Sequence, residues 1–128
     1  MIRKLGLTLL LAGGFLSNSA FAVTEHIFTM GHSIEYELPV NDPQVFSNIL
    51  FWKITATCTI MSDPSETQLS VKMLKKTGSV NAIPLFAGDS LGIRVQSGDM
   101  INITADSGAK VELVNLGTKS IRASCSAG

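Results

Sequence analysis

Beyond its first 22 residues the sequence lacks any apolar run approaching the roughly 20 residues that a bilayer-spanning helix requires. It also lacks a basic excess or a basic stripe, so nucleic acid is not an expected partner. Histidine occurs only at His26 and His32, tyrosine only at Tyr36, and there is no Cys-x-x-Cys pair. These scarcities leave little from which to build a catalytic triad, a zinc site or a redox motif. No helical apolar periodicity persists for three turns after residue 22, which argues against helical bundles and α/β folds.

The first 22 residues have a different character. Met1-Ile2-Arg3-Lys4 is basic, residues 5–16 are uncharged and apolar, and a short polar stretch closes on Ala20-Phe21-Ala22. This is the three-part pattern of a cleavable secretory signal peptide with an A-x-A site. The apolar run is too short for an anchor, and no cysteine follows the site to accept a lipid. The mature chain is expected to run from residue 23 to residue 128 as one domain, exported to the periplasm or the medium, with no stable membrane insertion. Cleavage removes Arg3 and Lys4 from ten basic residues and none of the ten acidic ones, leaving an acidic excess of two.

Cys58 and Cys125 are the only cysteines. In an oxidising compartment an even pair is expected to form a disulfide, and closing so long a loop is expected to stabilise the fold by about 4 kcal/mol. Their surroundings resemble each other: Ala56-Thr57-Cys58-Thr59 against Ala123-Ser124-Cys125-Ser126.

The clearest patterned segment is 50–61. Trp52, Ile54, Ala56, Cys58 and Ile60 fall on one side, and Phe51, Lys53, Thr55, Thr57 and Thr59 on the other, the alternation of a half-buried strand. Further strands are expected at 67–75, 79–86, 91–96, 100–105, 110–116 and 120–125, separated by turns rich in Gly, Asp and Ser. Upstream, 26–30 and 33–38 look like a hairpin across Gly31-His32, and 39–48, with two prolines, reads as a loop. Turns at such intervals predict an all-β, antiparallel β-sandwich of about seven to nine strands, immunoglobulin-like or jelly-roll-like. Trp52 is expected to share the core with Cys58, although the order of tryptophan and cysteines departs from the antibody pattern.

Four groups of residues carry possible chemistry. Gly88-Asp89-Ser90-Leu91 spells an esterase motif, but no histidine follows it to serve as base, so a turn is the expected role. His26 and His32 need carboxylates such as Glu25, Glu35 or Glu37 to hold zinc, and His26 stands fourth rather than third from the expected N-terminus, where a copper or nickel site would require it. Asp89 and Asp106 are expected at one end of the domain and Asp99 at the other; turn capping accounts for them more simply than calcium does. The row Phe51, Lys53, Thr55, Thr57 and Thr59 is the candidate binding face, suited to a glycan or a protein edge, with Phe51 open to cover by the 39–48 loop.

No catalytic residues, metal ligands or cofactors are therefore assigned. The sequence predicts a small exported binding module with one structural disulfide and a protein or glycan as its partner. A structural subunit of an envelope assembly and a small secreted hydrolase are the alternatives.

Overall fold

The computed structural model describes residues 23–61 and 66–128. The expected signal peptide over residues 1–22 and the turn at Ser62-Asp63-Pro64-Ser65 lie outside the described residues. Among the described residues there is no helix and there are eleven strands: β1 (Thr24–Ile27), β2 (Ser33–Leu38), β3 (Gln44–Ser47), β4 (Ile54–Ile60), β5 (Thr67–Lys75), β6 (Gly78–Val80), β7 (Ile83–Leu85), β8 (Ser90–Val95), β9 (Met100–Ala105), β10 (Lys110–Asn115) and β11 (Ile121–Ala127). They form two sheets, ordered β1-β3-β10-β5-β8 and β2-β11-β4-β9-β6-β7.

The sandwich read from the sequence is present. Period-two alternation sends Ile54, Ala56, Cys58 and Ile60 of β4 inward, with Ile101 and Ile103 of β9, to meet Leu69, Val71 and Met73 of β5 and Val111 of β10. Each fully buried side chain of Leu, Ile, Val or Met size stabilises the fold by about 1.5–3 kcal/mol. Cys58 and Cys125 face each other across β4 and β11 and are bridged, with Cα atoms 4.0 Å apart.

Strands that follow one another in the chain are rarely paired. Only β6 and β7 are neighbours in both sequence and sheet; every other connection between described strands carries the chain from one sheet to the other. Turn composition specifies a reversal of direction but not the partner. Crossing between sheets lets consecutive strands bring their apolar faces together through the core instead of side by side.

Four sequence expectations change accordingly. Segments 26–30 and 33–38 are not a hairpin: β1 pairs in parallel with β3, which makes the first sheet mixed, while β2 pairs with β11 in the second. Segment 39–48 is not only a loop, because it contains β3, all four residues of which are buried between β1 and β10. The prolines flank this strand and leave its ladder donors intact. Segment 79–86 is two strands rather than one. The 50–61 strand begins only at Ile54, so Trp52 lies outside the core. The added β3 and the split hairpin account for eleven strands where seven to nine were expected.

The β6–β7 turn places Asn81 at φ 49° and Ala82 at φ 70°. Both residues are left-handed, as a type I′ hairpin turn demands, and alanine is poorly suited to that region. Ala82→Gly is expected to stabilise the domain by about 0.5–1 kcal/mol. A thermal melt that falls with this change would show that the turn is of another kind.

The molecule also contains a structural repeat. Residues 33–60 and 100–127 correspond at an offset of 67, the separation of the two cysteines. The offset maps β2-β3-β4 onto β9-β10-β11 and superimposes identical residues: Ile34 on Ile101, Asn48 on Asn115, Ile54 on Ile121, Ala56 on Ala123 and Cys58 on Cys125. Pairing obeys the same operation. Cys58 opposes Cys125 and Val45 opposes Glu112, each residue facing its own counterpart. An approximate two-fold axis therefore passes through the disulfide and across both sheets. Equivalent loops consequently lie at opposite ends of the sandwich.

Candidate functional site

The loop between β3 and β4, residues 48–53, is built around the Asn48 side chain, only 1% exposed at the end of β3. Its Nδ2 donates to the carbonyls of Trp52 (2.9 Å), Ala105 (2.9 Å) and Asp106 (3.2 Å), and its Oδ1 accepts the Leu50 N–H (2.9 Å). The Asn48 backbone also exchanges hydrogen bonds with Gly108 and Ala109, and the Ser107 hydroxyl donates to the Leu50 carbonyl. A buried amide satisfied at this many points fixes the loop in one conformation.

Asn115 makes the same arrangement at the other end. Its Nδ2 donates to the carbonyls of Lys119 (2.7 Å) and Leu38 (2.9 Å), and its Oδ1 accepts the Gly117 N–H (2.8 Å). Lys119, Leu38 and Gly117 are the counterparts of Trp52, Ala105 and Leu50. One scaffold thus carries two loops of different character. In the second, Gly117, Thr118 and Lys119 stand where the first has Leu50, Phe51 and Trp52.

The first loop turns its apolar side chains outward. Ile49 is 62% exposed, Phe51 93% and Trp52 55%, while Leu50 packs against the core. Scattered exposed apolar residues are ordinary, but neighbouring ones on a fixed loop are a feature to explain. Other residues of the same end add to it. Phe86, 62% exposed, shares with Lys53 the wall of an open groove of about 310 Å³. On the other side Ile27, Ile49, Lys75 and Lys110 line a second groove of about 450 Å³. Lys76 lies over Gly108, next to the loop anchor.

Of the five residues read as one binding face, Phe51 and Lys53 belong to this tip, and Thr55, Thr57 and Thr59 stand on the outer face of β4. Phe51 is not covered by the 39–48 segment, which is occupied as a strand of the opposite sheet. On the outer face of the second sheet the Thr57 hydroxyl donates to Asn102 Oδ1 (3.1 Å) and Ser79 pairs with Thr104 (2.6 Å), so part of this hydroxyl surface is already satisfied internally.

The remaining motifs acquire local roles. In Phe86-Ala87-Gly88-Asp89 and Gln96-Ser97-Gly98-Asp99, the aspartate N–H donates to the first carbonyl and its Oδ2 accepts the first N–H. Gly88 at φ 95° and Gly98 at φ 93° supply the third position of type II turns. Ser90 then opens β8, at the opposite edge of the first sheet from His26 on β1, about 19 Å away at the usual strand spacing. Asp106 Oδ2 accepts the Thr77 hydroxyl.

The His26 ring stacks on Phe46 (4.8 Å) and meets Tyr36 edge-on (4.9 Å), and Nε2 lies 2.8 Å from Gln44 Oε1. Burial beside these rings pushes the Tyr36 phenol up from its ordinary value. Among the described residues no group of three or more His, Cys, Asp or Glu is arranged to hold a metal ion.

Sequence reasoning missed the tip as a unit. Asn48 precedes Cys58 by the same interval as Asn115 precedes Cys125, a signal that lengthens the noted cysteine resemblance into a repeat. No protein-family model, curated protein or solved structure matches the chain.

Proposed function

We propose that this protein is an exported interaction module that docks through the tip formed by residues 49–53. The observation that carries this reading is the contrast between the two equivalent loops. The Asn115 loop presents Gly117, Thr118 and Lys119 on the same hydrogen-bonded frame, so the frame itself does not require Leu50, Phe51 and Trp52. Exposed aromatic side chains gain free energy when a partner covers them, and a loop already fixed by Asn48 loses little conformational entropy on docking.

The bridged Cys58–Cys125 pair is compatible with an oxidising compartment, and among the described residues no helix is long and apolar enough to cross a membrane. The tip is a better docking surface than the Thr55, Thr57 and Thr59 face, whose hydroxyls gain less from leaving water. Assembly through strand edges is less well supported. The edge strands β1 and β7 are short, and β2 and β8 carry Glu35, Glu37 and Arg94, which discourage edge pairing.

A photoreactive phenylalanine analogue at position 51, compared in producing cells with the same analogue at its counterpart position 118, tests the reading. Adducts are expected from position 51 and not from 118. Absence of adducts at 51, or equal labelling at both positions, would remove the tip as the docking surface.

A further inference from the structure

The two ends of the sandwich differ in charge as well as in exposed aromatic side chains: Phe51, Trp52 and Phe86 stand at the tip end, whereas the other exposes Met61, Met100 and Leu116. The end bearing the tip is where β3 and β5 finish and β4 and β10 begin. It gathers Lys53, Lys75, Lys76 and Lys110 around Ile49, Phe51 and Trp52. Its aspartates are engaged locally: Asp89 caps its own turn and Asp106 accepts from Thr77. Glu25 stands 3.9 Å from Lys110 at the exposed rim of the groove. Asp42, Glu66 and Asp99 lie toward the opposite end. Four lysines thus face three carboxylates, so a chain with an expected acidic excess presents an aromatic end with a small net positive charge.

We infer that this end seats on an anionic phospholipid surface, with Phe51 and Trp52 entering the interfacial layer and the lysines meeting the phosphates. The inference rests on the docking role proposed for the tip and names its partner. Three observations converge on it. Tryptophan and phenylalanine favour the interfacial region of a bilayer. Lysines flanking them at the same end supply the long-range attraction to anionic headgroups. The groove between Ile27, Ile49, Lys75 and Lys110 offers an apolar wall and the ammonium groups of Lys75 and of Lys110, the latter 3.9 Å from Glu25, which a phosphate ester carrying acyl chains would displace. A loop inserted to interfacial depth needs no spanning segment, so attachment is peripheral and reversible.

Trp52 is the chain's sole tryptophan, and its fluorescence reports directly on the tip. The disulfide-bonded protein is titrated with vesicles of phosphatidylcholine mixed with phosphatidylglycerol, and with vesicles of phosphatidylcholine alone. On the mixed vesicles Trp52 emission is expected to shift to the blue and to be quenched by brominated acyl chains, and added salt is expected to weaken the binding. On the neutral vesicles both responses should be much weaker.

Replacing Lys75 and Lys76 by serine should lower the partition coefficient by more than tenfold, at about fivefold per lysine. Phe51→Thr combined with Trp52→Lys, which installs the residues of the equivalent loop, should abolish co-flotation while leaving the circular dichroism and unfolding midpoint close to those of the parent. Binding that ignores these changes would overturn the inference. If the vesicles are not bound while position 51 crosslinks a protein, the lipid assignment fails and the docking role stands. If neither vesicles nor crosslinks are found, both fail.

Discussion

Replacing Asn48 by alanine is expected to destabilise the domain by about 3–5 kcal/mol, far more than an ordinary single substitution. The change strands the carbonyls of Trp52 and Ala105 and the Leu50 N–H, which Asn48 satisfies from a nearly fully buried position. Each buried polar group left without a partner costs about 1–3 kcal/mol, and water entering the loosened loop recovers part of that loss. The expected measurement is a denaturant midpoint that falls at unchanged m-value. Trp52 emission in the native baseline should also move to the red as the loop opens. Asn115→Ala should destabilise comparably, since Asn115 holds the equivalent frame, but should leave native Trp52 emission where it is. A loss below about 1 kcal/mol for Asn48→Ala would mean that the loop keeps its shape without the amide, and the preorganisation argued for the tip would lose its basis.

Removing the Cys58–Cys125 bridge is expected to cost about 4 kcal/mol, mainly through the freedom restored to the unfolded chain across the 67-residue separation. Both sulfurs belong to the buried core, so a reductant should act at the rate at which the domain opens rather than at the rate of free disulfide exchange. Comparison of unfolding curves for the oxidised protein and the Cys58→Ala/Cys125→Ala variant gives the magnitude. The position of the bridge makes a large effect reasonable. It joins β4 to β11 at the approximate two-fold axis, tying the repeated units together at the point where each meets its own counterpart. A difference of less than about 1 kcal/mol would show that the unfolded chain is already compact across this loop.

Much of the sandwich was legible from alternation alone. Leu69, Val71 and Met73 are inward in β5, and Ile54, Ala56, Cys58 and Ile60 are inward in β4, because a pleated strand facing one core must bury every second side chain. The turns at Gly88-Asp89 and Gly98-Asp99 were legible for a similarly local reason, glycine supplying the backbone angle and aspartate the acceptor. Alternation misled at Trp52, which continues the inward pattern of β4 yet is exposed, whereas Leu50 does pack against the core. The period is kept, but Asn48 binds the Leu50 N–H and the Trp52 carbonyl and bends the chain away before the strand begins. Short β3 escaped notice because its four residues, buried on both faces, show no alternation at all.

The candidate site was divided in the same way. Phe51 and Lys53 were singled out from the sequence, but as members of a strand face with Thr55, Thr57 and Thr59. Their association with Ile49, Phe86 and the lysines of β5 and β10 comes from non-local pairing. The sequence by itself determined an all-β chain, its principal inward residues, its glycine–aspartate turns and the one possible cysteine pairing, because these depend on residues near one another or on a choice of one. Only the tertiary structure decided that consecutive strands cross between sheets, that two equivalent loops point from opposite ends, and that one of them carries an exposed aromatic and cationic tip. Strand partners are selected by the fit of faces across the whole core, and no local stretch of sequence contains that information.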